Sequence, residues 1–296
     1  MNEISTHNSL TNKTVLVTGA TSGIGLAVAG KAAMMGAYVI GTGRSQKNMD
    51  SALEPIQDNS PKARVAYLLA DLSTMENARE LAASVRQELK KMGKKQLDRM
   101  VLNAATVPFW QELTADGYDR QWAVNYLSGF LLAHELKGAM QNADTARIIS
   151  VSSGSHYHTR LRWDDLQLFY NYNPLLAYKQ TKLAQVIFSA EFNRRQNGRN
   201  KIRAFAADPG LVRTDIGMKG KSRLMELFWK FRRMRGITPE KAAEGIIFLL
   251  SDNGIQHADE IYWKHGKPKA PNPFALEENN GKRLWEISAR LCGVDA

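Results

Sequence analysis

Tyr178 and Lys182 stand four residues apart in the run YKQTK. On a helix, positions four apart share a face, so the ammonium can stabilise the ionised form of a phenol that otherwise titrates near about 10. A hydroxyl tuned in this way can exchange a proton with a carbonyl or alcohol oxygen. Upstream, TGATSGIG at residues 18–25 follows a short apolar run and leads into a segment of helical period. In that setting glycines let the backbone approach a dinucleotide pyrophosphate, and the helix N-terminus presents unpaired amides to it. Proton exchange beside a bound dinucleotide is the combination that hydride transfer needs.

The elements that must position these groups follow from the apolar pattern. From Lys13 onward, short apolar runs alternate with longer amphipathic segments, which predicts βαβ units and a doubly wound parallel sheet of the α/β, Rossmann type. Strands are expected at 14–17, 38–42, 65–70, 99–102, 147–151 and 202–206, with a short closing strand at 260–263. The first helix should open at Gly23 to Gly25 and end near Gly36, and Pro239 after Thr238 should start a late one. With no linker or internal repeat, residues 13–296 read as one domain behind a flexible leader of residues 1–12.

Composition narrows the classes. The 296 residues are 44% hydrophobic and 23% charged, and no run approaches the roughly eighteen apolar residues of a membrane span. The opening MNEISTHNSLTN has no apolar stretch of the secretory kind. Cys292 is the single cysteine, which argues against a cysteine-ligated metal and for a reducing, cytoplasmic setting. Forty Lys and Arg against 29 Asp and Glu give a charge of +11, dispersed except at 219–235. Without zinc-finger or RNP signatures, nucleic acid is not an expected partner.

The residues after the second strand speak to the cofactor. NAD-binding turns of this kind carry an acid there for the ribose hydroxyls, whereas this chain reads GTGRS at 41–45. Arg44 is placed to meet a 2′-phosphate, which favours NADP(H) over NAD, the plainer alternative being a solvent-exposed arginine.

Taken in order, TGATSGIG, Asp71-Leu72, LNAA at 102–105, Asn125, VSS at 151–153, YKQTK and DPGLVRT at 208–214 make the chain resemble the short-chain dehydrogenase/reductase family over about residues 13–265. It is most similar to the retinol dehydrogenase-like branch, through LAYKQTKLAQVIFSAEFNRR, the long segment between Ser153 and Tyr178, and the tail LWEISARLCGV at 284–294. The resemblance implies a catalytic set of Asn125, Ser153, Tyr178 and Lys182. It also implies cofactor contacts at Gly19, Ser22, Gly23, Ile24, Gly25, Arg44, Asp71, Leu72, Asn103, Ala104, Tyr178, Lys182, Pro209, Gly210, Val212 and Thr214. Asn125 would hold a water that links Lys182 to solvent. One departure stands out: the family usually writes NAG where this chain has Asn103-Ala104-Ala105.

The expected activity is reduction of a hydrophobic ketone or aldehyde by NADPH, or the reverse, the alternative being a non-enzymatic NADP(H)-binding sensor or scaffold. His156, His158, Trp163, Phe169, Tyr170 and Tyr172 could line an aromatic substrate pocket, and two histidines without a third clustered ligand give no metal site. Residues 215–236 are expected as a lid. There Leu224, Leu227, Phe228, Phe231 and Met234 recur at helical spacing opposite Arg223, Lys230, Arg232, Arg233 and Arg235. Such a basic amphipathic helix suits three uses: packing on the body, peripheral contact with an anionic membrane surface, or contact in a homo-oligomer.

Overall fold

The computed structural model describes residues 10–196, 201–213 and 236–296. Eight strands form a single sheet in the order β3-β2-β1-β4-β5-β6-β7-β8. They are β1 (Thr14–Val17), β2 (Tyr38–Gly43), β3 (Arg64–Leu69), β4 (Arg99–Leu102), β5 (Ala146–Val151), β6 (Ile202–Asp208), β7 (Tyr262–Lys264) and β8 (Lys267–Pro268). All neighbours pair in parallel except β7 and β8. The expected strands are present, with edges moved by a residue or two. β8 was not expected; it returns through His265 and Gly266, both at positive φ, the twist a two-residue hairpin needs.

Strand side chains alternate between two apolar layers. Val15, Val17, Val39, Val101, Ile149 and Phe205 face α1 (Gly23–Met34), α2 (Gln46–Asn59) and a late helix, Pro239–Ser251. Leu16, Ile40, Met100, Ile148 and Ala204 face α3 (Met75–Lys91) and the helical run that starts with α4 (Arg120–Trp122). That run widens into a π turn at Ala123–Leu127 and continues as α5 (Ser128–Glu135) and α6 (Lys137–Gln141). The same layer holds α7 (Pro174–Arg195), and the late helix is α8, followed by α9 (Glu278–Cys292).

Two arginines lock α8 to the sheet from within. Arg99 and Arg147 are register partners on β4 and β5, both buried, and donate to the main-chain oxygens of Leu250 and Leu249. Those carbonyls end α8 and lack helical partners, so the guanidinium groups satisfy them and oppose the negative helix end. The opposite end of α8 is closed by Thr238, whose hydroxyl accepts the N–H of Lys241 at 3.3 Å.

Leu10, in the stretch read as leader, is buried, and Leu10 N and Asn12 N donate to the oxygens of Met35 and Gly36. Residues 1–9 lie outside the described residues, as do the expected lid residues 215–235 and Thr214. The chain on either side of that segment is joined: Arg213 N donates to Ile237 O at 2.9 Å and Ile237 N to Leu211 O at 2.8 Å. No described helix is long and apolar enough to cross a membrane.

Candidate active site

The strand order reverses between β1 and β4, and in open α/β sheets the crevice outside the strand C-termini at such a point is where ligands bind. A cleft of about 630 Å³ occupies that place. Of the expected cofactor residues, Gly19, Ser22, Gly23, Ile24, Arg44, Asp71, Leu72, Asn103 and Ala104 line it, joined by Arg213 and Pro239. Arg44 is exposed at the rim, beyond the end of β2. Asp71 is exposed as well, and its Oδ1 accepts the N–H of Ser73.

The turn that floors the cleft is held from three sides. Asn103 Nδ2 donates to the carbonyls of Thr18 and Gly19, both at 3.0 Å. Thr18 Oγ1 accepts the N–H groups of Asn103 and Ala104 at 2.9 and 3.0 Å, and Thr42 Oγ1 accepts that of Gly19 at 3.1 Å. Tyr67 reaches across to donate to Ala20 O. Asn103 therefore spends its amide on the turn, and Thr18 is the pivot that motif reading did not single out.

Glycine is required here by space and by torsion. Gly19 has φ +64, and a Cβ on it would lie 3.0 Å from Ala104 Cα. A Cβ on Gly25 would lie 2.5 Å from Asn103 Nδ2 and closer still to the Gly19 carbonyl. A backbone concavity that side chains would fill, opening onto α1, matches a pyrophosphate seat, so the residues present fit a dinucleotide.

Tyr178 and Lys182 lie on α7, which is not part of the lining of that cleft and is linked to it through Asn125, whose Nδ2 donates to Thr106 O in the lining at 3.0 Å and to Thr181 Oγ1 of α7 at 3.4 Å. The helix begins at Pro174 under a cap in which Asn173 Oδ1 accepts the N–H groups of Leu175 and Leu176. From Gln180 to Phe192 every side chain is buried, so the register of Lys182 is set by packing on all sides. Its Nζ lies 5.4 Å from the centroid of the Tyr178 ring and donates to Val151 O at 2.7 Å. Burial draws the ammonium down from 10.5 to about 7.

Ser153 follows β5 and opens a 3₁₀ segment, Gly154–His158, which packs against α7. Its Oγ accepts the N–H of Ser155 at 3.2 Å. Asn125 sits in the π turn; its Oδ1 accepts Thr106 N at 2.8 Å and its Nδ2 donates to Thr106 O at 3.0 Å. The main-chain oxygen of Asn125 accepts from Gln185 Nε2 at 2.7 Å. Pro209, Gly210 and Val212 leave β6 in an ordered loop: Gly210 N donates to Asp208 Oδ1, and Tyr262 OH donates to Asp208 Oδ2.

The aromatic segment departs from the sequence expectation. Trp163 packs against Phe274, and Tyr172 OH accepts from Gln121 Nε2 at 2.9 Å. Phe169 and Tyr170 point to solvent, Tyr170 at 84% exposure. His156 is buried rather than lining a pocket, and Asn272 Nδ2 donates to the main-chain oxygens of His156 and Thr159. Asn272 lies over a hundred residues downstream, and no local spacing announces the pairing.

A crevice at the switch point of a parallel sheet, floored by a glycine turn, defines a dinucleotide-binding architecture, and α7 beside it carries a tyrosine–lysine pair. The short chain dehydrogenase family model matches residues 13–224, and the chain belongs to that family. Within it the chain falls in the retinol dehydrogenase-like branch: it is 32% identical to retinol dehydrogenase 13 of Homo sapiens over 97% of this chain and 87% of that one. A solved protein from Mycobacterium Paratuberculosis shares the fold at TM-score 0.75 and 24% identity, covering 98% of this chain and 96% of that chain. The angucycline C-6 ketoreductase LanV, solved with bound NADP, is 26% identical at TM-score 0.68, covering 88% and 95%. The protein is an oxidoreductase of the alcohol and carbonyl class.

Proposed function

We propose that this chain uses NADP(H) to interconvert a hydrophobic ketone or aldehyde and its alcohol, with reduction as the working direction. The observation that carries the reading is the buried Lys182 ammonium 5.4 Å from the Tyr178 ring, in a fold whose glycine-floored cleft lies at the switch point of the sheet. Arg44 at the rim, with no acid at 41–45, supports a 2′-phosphate and so NADP(H). The names of the retinol dehydrogenase relatives support a bulky lipophilic substrate.

The cleft residues from Gly19 to Ile24 would seat the pyrophosphate, Asp71, Leu72 and Asn103 the adenosine side, and Pro209, Gly210, Val212 and Thr214 the nicotinamide end. When bound, the cofactor supplies the hydride. Ser153 Oγ and Tyr178 OH donate hydrogen bonds to the substrate oxygen, and the Tyr178 proton passes to it as negative charge develops. Lys182, kept cationic, stabilises the tyrosinate left behind. In oxidation Tyr178 takes the proton instead.

Turnover is tested by loss of NADPH absorbance with a panel of lipophilic ketones, aldehydes and quinones, using wild type and Tyr178→Phe. Consumption by wild type that vanishes in Tyr178→Phe is expected. NADPH binding without turnover in either would instead identify a cofactor sensor.

A further inference from the structure

Gln185 lies three residues beyond Lys182 on α7 and is buried with it. Its Nε2 donates to the main-chain oxygen of Asn125 at 2.7 Å. A carbonyl can only accept, so this bond dictates which way the amide points, and Oε1 is turned toward Lys182. That oxygen stands 3.2 Å from Nζ. The other acceptor of the ammonium is Val151 O at 2.7 Å, at the end of β5.

We propose that Gln185 is a positioning residue for Lys182: anchored on the Asn125 carbonyl, its side-chain oxygen keeps Nζ protonated and fixed on the face of α7 that carries Tyr178. This rests on the reading of Tyr178 and Lys182 as the acid–base pair. The two ends of the amide do different work, one reading the π turn and the other serving the lysine, so the π turn is coupled to the ammonium through a single side chain.

The surroundings explain why an amide oxygen matters here. Burial draws the proton affinity of Lys182 down from 10.5 to about 7, so any acceptor that holds the ammonium matters near neutral pH. The titratable group that faces it is Tyr178, on its own helix. Among the described residues of β5 and the π turn it meets the polar groups of Val151 and, through Gln185, Asn125. Among the described residues no carboxylate pairs with it, so neutral oxygens hold the charge. A neutral amine could not stabilise tyrosinate.

Two near-isosteric variants separate this role from simple packing. Gln185→Met removes the acceptor, and Gln185→Glu replaces it with a carboxylate. Lysine labelled with ¹³C at Cε reports the Lys182 titration in the full chain without cofactor, with the resonance assigned by its disappearance in Lys182→Met. The midpoint is expected to fall by about one pH unit in Gln185→Met and to rise by a similar amount in Gln185→Glu. The pH at which turnover is lost on the alkaline side should move in the same two directions. Midpoints that match wild type in both variants would overturn the proposal, and if Gln185→Met does not fold, an unmoved midpoint in Gln185→Glu alone does so. Failure of the enzymatic reading shows separately, as wild-type protein that never consumes NADPH while the lysine midpoints still shift.

Discussion

His156 Nδ1 lies 2.8 Å from the main-chain oxygen of Ser153, while its Nε2 accepts the main-chain N–H of Asn272 at 3.1 Å. Because the Asn272 amide can only donate, Nε2 carries no proton and Nδ1–H is the donor to Ser153. A neutral imidazole thus spans the loop that presents Ser153 and the segment after β8. Burial lowers its proton affinity from the ordinary 6.5, Asp208 opposing and Lys269 and His158 assisting. A group depressed in the folded state contributes stability that is complete above its unfolded value of about 6.5 and is lost as pH falls through the folded value. Thermal scans of wild type should show Tm dropping below about pH 6.5, and His156→Gln should be flatter there while being less stable by about 1–3 kcal/mol at higher pH.

Lys182 gives the opposite end of the pH scale. With the ammonium drawn from 10.5 to about 7, the unfolded chain binds more protons between those values, so stability rises with pH there. Relative to Lys182→Met, wild type should gain up to about 2–3 kcal/mol between pH 7 and 9 in urea unfolding. Parallel unfolding curves at the two pH values would refute the burial of a titrating lysine.

Replacing Tyr178 with Phe removes only the hydroxyl. Turnover is expected to fall about 10²–10⁴-fold, the usual contribution of a positioned acid–base group, with NADPH affinity measured by fluorescence nearly unchanged.

Arg44→Ala tests cofactor choice. Loss of a charge-assisted contact to a 2′-phosphate should weaken NADPH binding about 10–100-fold and leave NADH binding almost untouched. Equal effects on both cofactors would show that Arg44 does not read the phosphate.

Two glycines on α1 make a matched pair. Gly25→Ala forces a methyl into the Gly19 carbonyl and Asn103 Nδ2 and should cost about 2–4 kcal/mol along with nucleotide binding. Gly30→Ala meets only Ile56 at 3.6 Å and, in mid-helix, should stabilise by about 0.5–1 kcal/mol. Chemical denaturation of both variants beside wild type decides this.

The strands and the glycine turn were legible because parallel strands buried on both faces read as short apolar runs, and a cleft floor needs residues without side chains. Tyr178 and Lys182 were legible because helical spacing is local. Gln185 carried a local signal too, three residues past Lys182, yet its second partner, Asn125, lies sixty residues away. His156 looked like a pocket residue because its partner Asn272 is brought to it only by the chain returning past β7 and β8.

Residue types and short-range periodicity therefore determined the sheet order's raw material, the glycine turn and the tyrosine–lysine pair on one helix. Only the tertiary structure decided what Asn103 holds, that Arg99 and Arg147 close α8, which way the Gln185 amide points and that Lys182 is buried beside it. The reason is physical: a hydrogen-bond partner or a desolvated charge is a property of groups remote in the chain meeting in space, and the linear pattern records burial but not the identity of the neighbour.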